Sequence, residues 1–190
     1  MPTSELCATH DHRADRRPFQ NLCEVDDGDL DAVLASLAEG SRRRFGPHYL
    51  PLRRATEARA RELFVRAGGR PVRRHPHYFV LGESAWFAGL HDEPRAVTVP
   101  LAELPPAVTS FTWTDSITAL GLGTHLGVAQ PADPRERGLY RLDQLDPTAT
   151  TGTGRAEGGD DYEGYQWRLL DHYVEIQLWS DEPVREHLAR

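Results

Sequence analysis

The chain contains no lysine, and all 22 of its basic residues are arginine. That absence excludes chemistry built on an ε-amine: an internal Schiff base with pyridoxal phosphate or a sugar aldehyde, a P-loop phosphate lysine, and the phosphate-pairing lysine of a protein kinase. Asparagine occurs once, at Asn21, and isoleucine twice, at Ile117 and Ile176. Several residue types with AT-rich codons are therefore scarce together, which points to a GC-rich bacterial genome. The two cysteines, Cys7 and Cys23, both fall in a poorly patterned N-terminal stretch, so reduced thiols are expected rather than a disulfide framework. No apolar run approaches the roughly 18 residues that a membrane span needs, and the polar residues 1–17 hold no signal-peptide core. The expectation is a cytoplasmic protein with no membrane partner.

Charge is abundant but unevenly placed. The formal net charge is -7, yet 11 arginines lie between Arg42 and Arg74 with only Glu57 and Glu62 as acids, a local +9 (11 minus 2). From residue 101 onward the balance reverses to -8 (7 arginines minus 15 acids). Guanidinium groups are permanently charged and match phosphate oxygens bidentately, so the arginine-rich segment 42–74 is a candidate surface for nucleic acid, another phosphate-bearing ligand or an acidic protein partner. Helical i,i+4 pairs, Glu57 with Arg61 and Glu62 with Arg66, would offset part of that charge. The clumps at Arg42 to Arg44 and Arg70 to Arg74 would remain.

Residues 1–28 mix His, Asp, Arg and Pro without periodicity and read as a flexible lead-in to one α+β domain over residues 29–190. Asp29 has N-cap chemistry ahead of Leu30, Val33, Leu34 and Leu37, and Gly40 closes that helix. A second helix is expected from about Arg53 to Ala67, with Ala60, Leu63, Phe64 and Ala67 facing inward and Gly68-Gly69 as its stop. Strand patterns follow at His77 to Leu81, Ala96 to Leu101, Val108 to Trp113, Leu139 to Leu142 and His172 to Trp179. These make a mixed or antiparallel sheet of about five strands behind N-terminal helices. Residues 146–164, rich in Thr, Gly and Asp, read as a mobile loop, and Asp181 to Leu188 as a short terminal helix.

The last strand carries the clearest chemical signal. Alternation puts Val174, Ile176 and Leu178 on one face and Tyr173, Glu175, Gln177 and Trp179 on the other. A carboxylate and an amide bracketed by aromatics suit a cleft wall, where Glu175 could accept from sugar hydroxyls and stabilise positive charge on a ribose carbon. The plainer alternative is a strand whose second face packs on a helix, with Glu175 paired to an arginine. Arg73, Arg74, His77 and Tyr78 lie together at the entrance to the first strand, where a phosphate or ribose could be held. Ser110, Thr112 and Thr114 share a face, an arrangement that usually supports cross-strand pairing. Cys7, His10, His12 and Cys23 match no structural zinc spacing, so no metal is expected there. No serine sits in a nucleophile elbow, and the glycines at 152 and 154 make no dinucleotide fingerprint.

Segments 76–82 (PHYFVLG), 110–116 (SFTWTDS), 139–145 (LYRLDQL) and 173–179 (YVEIQLW) resemble small uncharacterised proteins of high-GC actinobacteria, a likeness that implies no activity. The closing strand around Glu175, with Pro183-Val184 beyond it, is similar to the catalytic strand of DarT-type DNA ADP-ribosyltransferases. That resemblance implies NAD as substrate, Glu175 as the catalytic glutamate and His77 as an NAD-ribose contact. Arg73 and Arg74 would then hold the diphosphate, and an aromatic such as Tyr78 or Tyr173 would stack on nicotinamide. The competing class is a non-catalytic protein that docks nucleic acid or an acidic partner through residues 42–74, with the sheet as scaffold.

Overall fold

The computed structural model describes residues 6–38, 48–124, 129–146 and 173–188. The fold is α+β. Its six strands are β1 (Cys7–Arg13), β2 (His77–Leu81), β3 (Pro94–Pro100), β4 (Thr109–Thr112), β5 (Tyr140–Arg141) and β6 (Glu175–Leu178). They form one sheet in the order β3-β1-β2-β6-β4-β5, and every pairing is antiparallel. The helices are α1 (Leu30–Ala38), α2 (Tyr49–Arg66), α3 (Ala85–Ala88), α4 (Ser116–Ala119) and α5 (Arg185–Leu188). Arg42 to Arg44 and residues 147–164 of the expected loop lie outside the described residues.

The expected lead-in is corrected by the sheet. Cys7–Arg13 runs as an inner strand, paired along its whole length with β3 and through Ala8 and Thr9 with β2. Its sequence, CATHDHR, has a single β-branched residue, Thr9, and no Phe, Tyr or Trp, so composition conceals it. What fixes it is pairing on both edges together with burial of Ala8, which is wholly inaccessible to solvent. The sheet consequently has one strand more than the five read from the sequence.

β6, the last strand in the chain, lies between β2 and β4 and is buried on both faces. One face carries the apolar core: Ile176 and Leu178 pack with Ala8, Phe79, Phe111 and Val99, and turns supply Phe19, Leu104 and Val184. The other face is polar and lies under α2. Register places Tyr78 opposite Gln177, Val80 opposite Glu175, and Ser110 opposite Gln177 on that face. Trp179 follows there, fully buried against Ala60 and Phe64 of α2.

α2 is rich in Arg, Ala, Glu and Leu, all good helix formers, and tolerates Pro51 because it lies in the first turn. It begins at Tyr49, earlier than the apolar pattern suggests. Its buried stripe is Arg53, Thr56, Glu57, Ala60 and Phe64, spaced i, i+3, i+4, i+7 and i+11. Leu63 is only half-buried and Ala67 is exposed, so the inner face is rotated from the one expected. Glu62 pairs with Arg66 at 2.5 Å as expected, and also with Arg59 at 2.6 Å. Glu57 does not pair with Arg61; it turns inward. The helix ends where Gly68 takes φ +87°, and Gly69 then passes so close to the Phe64 ring that an added Cβ would sit 2.4 Å from it.

The inner position of β1 makes a clear demand on Ala8. Ala8→Asp would bury an unpartnered carboxyl between β2 and β3 and should cost about 3 kcal/mol or more in urea denaturation. An unchanged midpoint, the outcome for a flexible lead-in, would contradict the strand.

Candidate functional site

The polar face is organised around Glu57, which is completely buried. Its Oε1 accepts from Tyr78 Oη at 2.9 Å and Asn21 Nδ2 at 2.9 Å, with Arg53 Nε at 3.4 Å. Its Oε2 lies 2.5 Å from His75 Nδ1. Arg53, one turn earlier on α2, stacks its guanidinium 3.8 Å from the Tyr78 ring centroid and donates to Ser116 Oγ at 3.3 Å. Burial works against the Arg53 charge, but Tyr78, Tyr49, Glu175 and Glu57 around it hold its pKa well above the ordinary value. Burial, reinforced by Glu57 and Glu175, keeps Tyr78 a phenol and hence a donor.

Next to this network lies a cavity of about 200 Å³. Arg53, Tyr78 and Glu175 form part of its wall, and Tyr49, Phe87 and Tyr173 add aromatic surface. Arg13, Arg16, Arg17 and His12, from the end of β1 and the turn after it, also line it. Phe87 and Tyr173 meet edge to face with centroids 5.2 Å apart. Glu175 accepts from Gln177 Nε2 at 3.1 Å and from the Ser116 backbone N–H at 3.3 Å. Among the described residues both bonds fall on Oε1. Burial pushes the Glu175 carboxyl up from its ordinary range; Asp115 adds to that, while Arg53 opposes it.

A chain of hydrogen bonds stands behind Glu175. Trp179 Nε1 donates to Ser110 Oγ at 2.8 Å, Ser110 donates to Gln177 Oε1 at 2.8 Å, and the Gln177 amide donates to Glu175 and to Thr112 Oγ1 at 3.2 Å. Those donors fix the amide and the carboxylate in one orientation. The Ser110 and Thr112 hydroxyls thus serve cross-strand pairing. Asp115 caps α4 by accepting from the Thr118 backbone N–H at 3.1 Å, and so positions the Ser116 N–H that Glu175 receives.

The turn after β1 is pinned by His10. Its Nδ1 lies 2.8 Å from the Tyr78 carbonyl, and its Nε2 accepts from the Phe19 N–H at 3.0 Å. One ring nitrogen donating and the other accepting describes a neutral imidazole. Burial drives its pKa down to about 3, in accord. Phe19 adopts φ +62°, an unusual conformation for a bulky residue, while its ring packs between His10, His77 and Phe79.

Of the residues expected at a site, Glu175, Tyr78 and Tyr173 come together in the cavity. His77, Arg73 and Arg74 do not. Alternation along β2 sends Tyr78 and Val80 to the polar face and His77 to the other, where His77 Nε2 lies 2.8 Å from Asp181 Oδ1. Arg73 forms ion pairs with Asp181 and Glu24 and donates to the His75 carbonyl. Arg74 lines a separate groove along α2. The sequence reading missed Arg53, Glu57, Asn21 and the arginines that follow β1. The i,i+4 step from Arg53 to Glu57, continued through Ala60 and Phe64, was the available signal.

Comparisons with protein-family models, curated proteins and solved structures find no match to this chain. The site therefore stands on its own geometry.

Tyr78→Phe keeps the ring beneath Arg53 but removes one donor from a buried carboxylate. It should destabilise the protein by about 1.5–3 kcal/mol in chemical denaturation. Histidine burial adds a pH dependence: burial holds His10 at about 3 and His77 at about 4, the latter despite its bond to Asp181. The unfolded chain takes up both protons near pH 6.5, so this stability is complete above 6.5 and is lost as pH falls toward 4. Unfolding free energy measured from pH 7 to pH 4.5 should decline accordingly, with a slope smaller by about one proton in His77→Gln.

Proposed function

We propose that the cavity binds the nicotinamide riboside end of NAD and that the protein cleaves the glycosidic bond there, transferring ADP-ribose to a nucleophile or to water. The observation that carries this reading is the placement of Glu175, the one acid of the last strand, in an aromatic-walled cavity that Arg13, Arg16, Arg17 and Arg53 also line. The volume, about 200 Å³, is below the usual 300–1,000 Å³ of whole-ligand pockets. It suits a ring and a sugar, with the diphosphate lying outward against Arg16 and Arg17.

In this scheme a carboxylate oxygen of Glu175 accepts from a ribose hydroxyl and faces positive charge growing on C1′ as its bond to the pyridinium nitrogen breaks. The bonding pair leaves with nicotinamide, which departs neutral and needs no proton. An acceptor oxygen or nitrogen then attacks C1′ and gives its proton to solvent. Only the ionised form of Glu175 can do this, and Arg53 favours that form against burial. The Gln177 and Ser116 donors hold the carboxyl in place.

Docking of nucleic acid through residues 42–74 has less support. Arg53 is buried, Arg54 pairs with Asp27, Arg59 and Arg66 pair with Glu62, and Arg61 donates to the carbonyls of Pro71 and Arg73. Much of the segment's charge is therefore used within the fold.

The test is incubation of the protein with labelled NAD, with and without DNA, scoring nicotinamide release and label transfer. Glu175→Gln should lose at least about 100-fold in rate while still showing an NAD-dependent rise in melting temperature. Absence of release, transfer and thermal shift in the parent protein would end the NAD reading. The raised Glu175 pKa also sets the pH profile: the rate should fall with acid at a higher pH than an ordinary carboxyl would give. For stability the sign is opposite. Protonated Glu175 is the form that burial favours, so its contribution is present at low pH and lost as pH rises through the raised value. Glu175→Gln should therefore gain in melting temperature relative to the parent as pH increases.

A further inference from the structure

On the other side of Glu57 three ligand-capable side chains converge. Cys23 from the turn Leu22–Glu24, Glu57 from α2 and His75 from the approach to β2 place one ligating atom each within 4.8 Å of one another. Cys23 and Glu57 are buried and His75 is half-buried. The two Glu57 oxygens divide their work. Oε1 takes Asn21, Tyr78 and Arg53, whereas Oε2 meets His75 Nδ1. Burial and the neighbouring Glu57, to which the thiol hydrogen-bonds, push the Cys23 thiol up to about 12.

We propose that Cys23, Glu57 and His75 bind one zinc-type divalent ion through Sγ, Oε2 and Nδ1. This site is independent of the NAD reading. Thiolate, imidazole and carboxylate together are a zinc ligand set, and the sulfur disfavours magnesium and calcium. A tetrahedral zinc ion holds its nitrogen and oxygen ligands about 3.3 Å apart, so the 2.5 Å His75–Glu57 contact opens by less than about 1 Å. The sulfur, already within 4.8 Å, closes inward. Tyr78, Asn21 and Arg53 provide the outer hydrogen bonds that keep the Glu57 carboxyl oriented with Oε2 presented. The fourth position belongs to water. A groove lined by Cys23, His75, Glu24, Asp26 and Arg61 gives access.

The proton balance is simple. Cys23 releases its thiol proton to solvent as the metal–sulfur bond forms, and the metal replaces the proton between His75 Nδ1 and Glu57 Oε2, that proton passing to solvent while a neutral His75 carries its one proton on Nε2. Uptake therefore strengthens as pH rises. The ion ties the turn at residues 22–24, α2 and residues 73–76 to one point, stabilising the wall against which the cavity is built.

The experiment uses the full chain, reduced and stripped with EDTA, titrated with Co²⁺ and then with Zn²⁺. The expected result is one Co²⁺ per chain with a thiolate charge-transfer band and strong visible bands of four-coordinate cobalt, both bleached by Zn²⁺. Zn²⁺ alone should raise the melting temperature. Cys23→Ser should lose the charge-transfer band, and His75→Gln should weaken binding at least about 100-fold. Cys7→Ser should behave as the parent. No charge-transfer band in the parent protein, or a band that survives Cys23→Ser and disappears in Cys7→Ser, would overturn the site.

Discussion

A carboxylate with no access to water must be surrounded by donors, and Glu57 imposes that requirement on three separate parts of the chain. Asn21 reaches it from the turn after β1, Tyr78 from β2 and His75 from the segment before β2, while Arg53 meets it along α2. Removing the charged partner from such a group typically costs about 3–5 kcal/mol, far more than a surface pair contributes. The interaction is therefore specific as much as stabilising. It sets the rotation of α2 about its axis, brings the N-terminal turn against β2, and determines which face of the sheet is polar.

The same arrangement explains why Glu175 is unusual. Arg53 is the buried cation between two buried acids, but its closest carboxylate contact, at 3.4 Å, is Glu57. Among the described residues Glu175 receives its attraction without direct pairing, plus one backbone and one amide donor, and Asp115 adds repulsion nearby. A carboxyl left under-compensated in this way is costly for the fold. Residues held so are concentrated at sites where a ligand completes the missing interactions. Glu57 has donors on both oxygens and serves the fold, whereas Glu175, among the described residues, has both of its side-chain hydrogen bonds on Oε1 and borders a cavity.

Much of this was legible in the sequence. Strand alternation placed Ile176 in the core and Glu175 on a separate face, and both long helices fell close to where their patterns put them. The second face divides between its residues. Gln177 and Trp179 pack under α2, and Glu175 borders the cavity. β1 was hidden because its burial comes from long-range pairing with β3, some 90 residues away, and not from its own polar composition. His77 was misplaced through nearness in sequence to the arginines, although a strand sends adjacent residues to opposite faces. Glu57 was read as a surface partner of Arg61 because helical spacing alone treats i+4 and i-4 alike. Only the orientation of the helix against the sheet selects Arg53.

That choice bears on the complete absence of lysine. Codon bias accounts for the residue type at exposed positions such as Arg59 and Arg66, where either cation could meet Glu62. At Arg53 the requirement is physical. A single side chain must sit over the Tyr78 ring, direct Nε toward Glu57 and extend Nη1 to Ser116. A planar fork with several fixed donors does all three, and a lysine ammonium, compact and strongly hydrated, would give up the stacking and at least one of the bonds on burial. The arginine cluster that dominates the sequence thus resolves into groups of different kinds. Several members are solvated pairs on α2, whereas Arg53 is the buried charge on which the geometry of both acids, and hence of the cavity, depends.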